Sequence, residues 1–315
     1  MNRILFAGTP EISVPLLKEL ASSFNVVGVL TSPDKMQGRS SALIPSPVKQ
    51  TALELGLPVI QFESLKTEAR EAVKNLGADT LVTFAFGKIF GPKFLALFPN
   101  GTFNVHPSAL PVFRGPSPIQ STILNSLKTA SISIQQIGEK MDEGDVFARL
   151  DFDLDGTETT SSLTSIVAQK AADFVPGVLN QVFNAKIKPA KQEGEASYCN
   201  MLEKEDAELS FNSTVLELHS KIRAVYPWPK AIAHTQDKSV FICGVYGGFD
   251  YCNNPDSCDG VKPGTVVAFR KDRGVGIACT DGILWVTSLQ LPAKKEMDFK
   301  SFANGNAWIK DCSFK

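Results

Sequence analysis

Short apolar runs alternate with amphipathic stretches through the first hundred residues. Residues 4–7 form the first run and stop at Gly8, and Pro10 suits the first turn of a helix ending near Ser22. A second run, 26–30, leads into a Ser-, Pro- and Gly-rich loop over 31–45. The pattern predicts helices over 46–55 and 65–76, stopped by Gly56 and Gly77, with a short strand at 59–60 between them. Two more strand candidates, 80–86 and 102–105, flank a short helix over 92–98. Strands apolar on both faces, alternating with helices, predict an α/β fold with a doubly wound, mostly parallel sheet. Ligands of such sheets gather at the carboxyl ends of the strands, which singles out the loops after Gly8, Thr31, Phe86 and Val105.

The texture changes after Ala130. Residues 131–137 and part of 146–154 alternate polar with apolar around a Gly/Asp-rich turn over 138–145, predicting a hairpin or two half-exposed strands. A long helix is predicted over 160–184. The polar stretch 186–206, with Pro189 and Gly194, reads as a linker. A helix over 214–225 ends at Tyr226-Pro227-Trp228-Pro229, and short β-branched runs follow at 239–243, 265–269, 276–279 and 283–289. These predict a small β-barrel of roughly 90 residues. The expected organisation is a first domain over 1–188, a linker over 189–208 and a second domain over 209–315.

Composition changes this picture little. With 315 residues, 43% hydrophobic and 21% charged, the chain can bury two cores without disulfides or a structural metal. A formal net charge of −1 excludes a protein that wraps nucleic acid over a wide surface and leaves room for a local patch. Residues 209–315 carry 13 Lys and Arg against 10 Asp and Glu, so what positive surplus exists lies there. The 6 cysteines include no C-x-x-C pair, and no histidine lies near Cys252 and Cys258, so reduced thiols and no metal site are expected. The first apolar run is too short for a secretory signal, and no stretch of about 18 apolar residues predicts a membrane span. The expected location is the cytoplasm.

Of the 3 histidines, His219 falls within an amphipathic helix and His234 in a strand or turn, and both read as surface groups or satisfied partners. His106 directly follows a strand, where a parallel sheet presents its ligands, and Pro107 biases it away from helix. Asn104, two residues earlier, projects from the same face of an extended chain. Such a pair either caps the strand end or acts together, the amide on a developing oxyanion and the imidazole on a proton. The turn Met141-Asp142-Glu143-Gly144-Asp145 is either a solvated hairpin tip or a carboxylate source. Asp142 beside His106 would orient the ring and favour imidazolium, but spacing alone does not bring them together. Gly8-Thr9-Pro10 lacks the G-x-G-x-x-G spacing, and neither a P-loop nor a G-x-S-x-G elbow occurs, which argues against nicotinamide, nucleotide-triphosphate and α/β-hydrolase chemistry.

The run Phe103-Asn104-Val105-His106-Pro107-Ser108-Ala109-Leu110-Pro111, then Arg114-Gly115, Pro118-Ile119 and the turn Asp142-Glu143-Gly144-Asp145, resembles the signature of folate-dependent formyltransferases. Within them the chain is similar along nearly its whole length to the methionyl-tRNA formyltransferases. Phe6-Ala7-Gly8-Thr9-Pro10-Glu11, Ser32-Pro33-Asp34, Pro45-Ser46-Pro47-Val48-Lys49, Ile222-Arg223-Ala224-Val225 with Tyr226-Pro227-Trp228-Pro229, and Gln290-Leu291-Pro292 carry that likeness. The resemblance implies a Rossmann-like formyltransferase domain followed by an OB-like, tRNA-binding domain. It implies Asn104, His106 and Asp142 as catalytic residues, and 10-formyltetrahydrofolate as donor and co-substrate. Phe86, Gly87, Ile89, Ser108, Ala109, Leu110 and Pro111 would surround the folate. The acceptor would be the α-amino group on initiator methionyl-tRNA, contacted by Arg39 and Lys49, with the protein acting as a monomer. Ser40-Ser41-Ala42 stand where the family is commonly basic, Ala109 where Leu is usual and Ala293 where Gly is usual. Rivals are a sugar-nucleotide (4-amino sugar) formyltransferase, a glycinamide ribonucleotide formyltransferase and a non-catalytic RNA-binding protein.

Overall fold

The computed structural model describes residues 2–36 and 43–315. They fall into two compact units, the first drawn from Met1–Pro118, Ser131–Phe152 and Thr164–Cys199, the second from Ile119–Ala130, Asp153–Leu163 and Asn200–Lys315.

The first unit is built on a seven-stranded sheet. In chain order its elements begin with β1 (Arg3–Gly8), α1 (Val14–Ser23), β2 (Asn25–Thr31), a minor ladder of β3 (Lys35–Met36) with β4 (Leu43–Ile44), and α2 (Pro47–Glu54). They continue with β5 (Val59–Gln61), α3 (Thr67–Leu76), β6 (Thr80–Phe84), α4 (Pro92–Leu95) and β7 (Thr102–His106). After α5 (Pro118–Leu124), which falls in the second unit from Ile119 on, come β8 (Thr129–Gln136), β9 (Val146–Asp153) and α6 (Thr160–Phe183), the last joining the first unit from Thr164. The strand order is β5-β2-β1-β6-β7-β8-β9, parallel from β5 through β7 and antiparallel from β7 to β8. The predicted parallel sheet is therefore present, with a reversed strand added beyond β7.

Local chemistry explains these elements. Ile4, Leu5, Phe6 and Ala7 are fully buried, as a central strand covered on both faces requires. Helix α3 ends at Gly77, whose φ of 65° is the left-handed conformation a glycine takes at a helix terminus. Beyond β6, Phe86, Phe90, Phe94 and Phe98 form a ladder with ring centroids 5.3, 5.4 and 5.7 Å apart. These four rings pack with Leu5, Leu30 and Leu81 and anchor the loop that leaves the carboxyl end of β6.

Two expectations need correction. Strand β8 is buried from Ala130 to Gln135 rather than half-exposed, because β7 and β9 flank it and its Ser131, Ser133 and Gln135 turn inward. Only β9 shows the half-exposed pattern. Residues 189–199, expected within a linker, belong to the first unit: Ala190 bridges Val146, and Tyr198 bridges Arg114 in parallel register. Polar, Gly- and Pro-containing composition marks the absence of an apolar face there, and backbone pairing needs none. Helix α5 is signalled by no clear periodicity.

The second unit holds α7 (Val215–Ala224), β10 (Ala231–His234), β11 (Ser239–Val245), α8 (Phe249–Asn253), β12 (Val266–Arg270), β13 (Gly274–Ala278), β14 (Ile283–Gln290), β15 (Met297–Asp298) and α9 (Phe299–Gly305). The strands pair antiparallel in the order β10-β11-β14-β13-β12, with β15 on β14. Their core includes Phe211, Ile222, Ile242, Val275, Leu284 and Phe302. Among the described residues no helix is long and apolar enough to cross a membrane.

Candidate active site

Strand β7 delivers two polar side chains to the carboxyl edge of the sheet. Asn104 pairs with Thr83 of β6 on one side and Gln135 of β8 on the other, and His106 pairs with Ser133. Being two residues apart on one strand, they share a face. The chain then reverses through 107–115, where Ser108 Oγ donates to Val112 O (2.6 Å) and Ser133 Oγ donates to Ser108 O (2.7 Å).

The acidic turn reaches this pair. Asp142 Oδ1 accepts from Asn104 Nδ2 (3.3 Å) and from Gln135 Nε2 (2.8 Å), and lies 3.6 Å from His106 Nδ1. Its other oxygen, Oδ2, accepts from the backbone N–H of Gly115 at 2.9 Å. Asp142 has φ +55°, a left-handed conformation that Asp tolerates better than most residues. Gly144 permits the turn, since a Cβ there would collide with the carbonyl oxygen of Gln136. The open alternative for Asp142 is thereby decided in favour of a carboxylate beside His106.

The segment 189–199 completes the frame. Gln192 Nε2 donates to the carbonyl oxygens of Asp142 and Gly144, each at 2.8 Å, while its Oε1 accepts from Arg114 Nε (3.1 Å) and Nη2 (2.8 Å). Arg114 also reaches Glu143 Oε1 at 3.4 Å, and Tyr198 OH donates to the same carboxylate at 3.1 Å. Gly115 must be glycine, since its φ is +118° and a Cβ would collide with Cys199 O.

His106 Nε2 lies 2.9 Å from Phe113 O. A carbonyl only accepts, so Nε2 carries the hydrogen and the neutral ring leaves Nδ1 bare, on the side of Asp142 and Asn104. Burial pushes the imidazole below its usual pKa of 6.5, outweighing the opposing pull of Asp142 and the Phe113 carbonyl. The sequence-based expectation of a raised pKa is thus reversed: the ring is 5% exposed, and desolvation wins over the neighbouring charge. The site joins an oriented amide donor, a neutral base and a fixed carboxylate, a set suited to forming and collapsing a tetrahedral oxyanion.

The formyl transferase family profile matches residues 2–179, and the profile described as "Formyl transferase, C-terminal domain" matches residues 201–307. The chain belongs to the formyl transferase family. Methionyl-tRNA formyltransferase of Treponema denticola is 38% identical over 314 residues, covering 96% of this chain and 97% of that protein. Among solved structures, an N-formyltransferase from Helicobacter canadensis in complex with folinic acid and dTDP-3-aminofucose superposes with a TM-score of 0.67 at 17% identity, over 94% of this chain and 100% of that one. The methionyl-tRNA formyltransferase from Clostridium thermocellum gives a TM-score of 0.56 at 19% identity over 78% and 93% of the two chains.

In this formyltransferase the residues expected around a folate lie in two loops at the same sheet edge, since β6 and β7 are parallel neighbours. Thr9 Oγ1 donates to Phe86 O at 3.1 Å and lies 3.1 Å from Ser32 Oγ, tying the loops after β1, β2 and β6 together. The Phe86 ring is buried against Phe90, and Ser108, Leu110 and Pro111 are also buried, so these residues shape the loops. Gly87, with φ +82° and open space where a side chain would begin, faces outward together with Ile89, which is 74% exposed. Ala109 is half-buried. Lys88 Nζ is spent on the carbonyls of Phe62 (2.5 Å) and Glu63 (2.9 Å).

Of the two expected tRNA contacts, Arg39 lies outside the described residues. The Lys49 ammonium donates to Asp34 Oδ2 (2.6 Å) and Gln61 Oε1 (2.8 Å). That bond holds the Asp34 carboxyl below the usual carboxylate range. The groups that contact the Asn104, His106 and Asp142 cluster and were not singled out in the sequence are Gln135, Gln192 and the backbone at Phe113 and Gly115. A strand whose polar positions Ser131, Ser133 and Gln135 share one face was the available signal for the first. Nothing local marks Gln192.

Proposed function

We propose that the protein transfers a formyl group from 10-formyltetrahydrofolate to the α-amino group of methionine on initiator tRNA, acting as a monomer in the cytoplasm. The observation that carries this reading is the convergence of Asn104, His106 and Asp142 at the carboxyl edge of the sheet, in a chain similar end to end to methionyl-tRNA formyltransferases. The neutral α-amine attacks the formyl carbon, and the carbonyl oxygen becomes an oxyanion. Asn104 commits one N–H to Asp142, which leaves its second N–H for that oxygen. A donor in this role is worth about 3–4 kcal/mol. The Nδ1 lone pair of His106 takes the proton released by the attacking nitrogen, and Asp142 stabilises the imidazolium. Collapse of the intermediate breaks the bond from the formyl carbon to N10, and the imidazolium returns its proton to the departing N10. The loops at 86–89 and 108–111 would hold the pterin, and Arg39, with the basic surplus of residues 209–315, would meet tRNA phosphate.

The test is formyl transfer from labelled 10-formyltetrahydrofolate to charged initiator tRNA, to a 4-amino sugar nucleotide and to glycinamide ribonucleotide in parallel. Transfer to the tRNA alone is expected. Transfer to the sugar nucleotide, or to no acceptor, would overturn the reading.

A further inference from the structure

We infer that Gln135 is a positioning residue for the reaction: it aims the carboxylate of Asp142 at His106, at the cost of leaving its own carbonyl oxygen unpaired. This rests on the formyl-transfer reading above. Gln135 stands beside Asn104 across the β7–β8 register and is 2% exposed. Its Nε2–H reaches Asp142 Oδ1 at 2.8 Å, the shortest of the three contacts made by that oxygen, the others being Asn104 at 3.3 Å and His106 at 3.6 Å.

That bond sets the amide's orientation. Turned over, Gln135 would place Oε1 against a carboxylate oxygen, acceptor against acceptor. Held as it is, Oε1 is buried with no hydrogen-bond partner, one of only two such side-chain atoms among the described residues. Buried polar atoms are nearly always paired, and an unpaired one destabilises the fold. A residue serving packing alone would be better filled by an isosteric apolar side chain. The gain lies at Asp142, where the amide donor fixes the carboxylate's rotation. With Oδ2 held by Gly115 N–H and Oδ1 by Gln135, the carboxylate keeps its aim at His106 while the second N–H of Asn104 serves the substrate. The other charged side chains nearby are Lys140, Glu143 and Arg114, which pair with one another, and Asp145 of the same turn.

Three proteins are compared: wild type, Q135M and Q135E. Rates are taken as ratios of variant to wild type, so the titration of the acceptor amine cancels. Q135M keeps the volume and removes both polar atoms. It should melt no lower than wild type and lose about tenfold in kcat with little change in KM, by a factor that does not change with pH. Q135E places a second carboxyl against Asp142, and the pair shares a proton when acid is available. Its ratio should rise as pH falls, because the protonated carboxyl becomes the donor that the amide was. A ratio that rises with acid in Q135E against a flat ratio in Q135M identifies the donor role. A flat ratio in Q135E, equal slopes in the two variants, wild-type kcat in Q135M, or a clearly lowered melting temperature in Q135M would each overturn it. An inactive wild type would instead remove the formyl-transfer reading, with the melting comparison still deciding whether Gln135 serves packing.

Discussion

Asn104, His106 and Asp142 differ in what each contributes, and their replacements should separate. N104A removes the oxyanion donor and should lower kcat by about a hundredfold or more, measured by single-turnover formyl transfer. H106A should lose at least about a hundredfold through the missing proton acceptor. Near-normal turnover in H106A would sink the scheme. The resting charge of His106 can be read directly. Burial lowers its pKa, so the neutral ring persists below pH 6.5 and is lost only on further acidification, and an NMR titration of the imidazole should show a midpoint under 6.5. A midpoint above 6.5 would mean that Asp142 outweighs desolvation. The pairing of Asn104 with His106 was legible in the sequence because two-residue periodicity on a strand is a local property. The approach of Asp142 was not, because it depends on a turn 36 residues beyond His106, and only the family signature linked them. The direction of the His106 shift was illegible for a related reason: it depends on how much water the fold removes.

Helix α7 shows what an element contributes to stability. Thr214 Oγ1 accepts from Glu217 N (3.2 Å) while Glu217 Oε2 accepts from Thr214 N (2.8 Å), a reciprocal cap at the helix start. T214A should cost about 1 kcal/mol in denaturant unfolding. On the buried face of α7, His219 Nδ1 accepts from Arg223 Nε at 2.9 Å, and His219 Nε2 donates to Gly247 O at 3.1 Å. Burial, with the Arg223 charge adding to it, pulls the His219 pKa down from 6.5 to about 4. The unfolded chain therefore binds a proton on His219 between pH 6.5 and 4 that the folded chain refuses, so stability is full above 6.5 and falls as pH drops toward 4. The loss is at most about 3 kcal/mol. H219Q should flatten the dependence of the denaturant midpoint over that window. An unchanged slope would mean that His219 titrates normally. The sequence foresaw a satisfied or surface histidine here but named no partner; Arg223, four residues on, shares its helical face.

For the whole molecule, most strands and helices were visible because apolar runs and glycine stops are recorded within a few residues of each element. What lay outside that range was non-local. Strand β8 alternates in sequence yet is buried, and its place inside the sheet between β7 and β9 is set by pairing partners far along the chain. The pairing of Lys49 was hidden similarly, since its partners Asp34 and Gln61 are distant in sequence. K49A should accordingly leave the salt dependence of tRNA affinity unchanged, whereas each phosphate-contacting cation removed should reduce that slope by roughly one. A fall in slope for K49A would show that the Asp34 pair opens on binding.

The Gln192 clamp bears on how natural variation in this chain should be read. One side chain in a stretch that looks like a tether holds the turn beneath Asp142 through two carbonyls. Loss of that amide, as in Q192A, should depress turnover by about tenfold while every reacting group stays intact. Changes at Gln192 or Tyr198 would look innocuous beside the catalytic signature and would present in an assay as catalytic lesions. Tolerance to change in this stretch is set by the hydrogen bonds it supplies to the turn and not by its polar, linker-like composition.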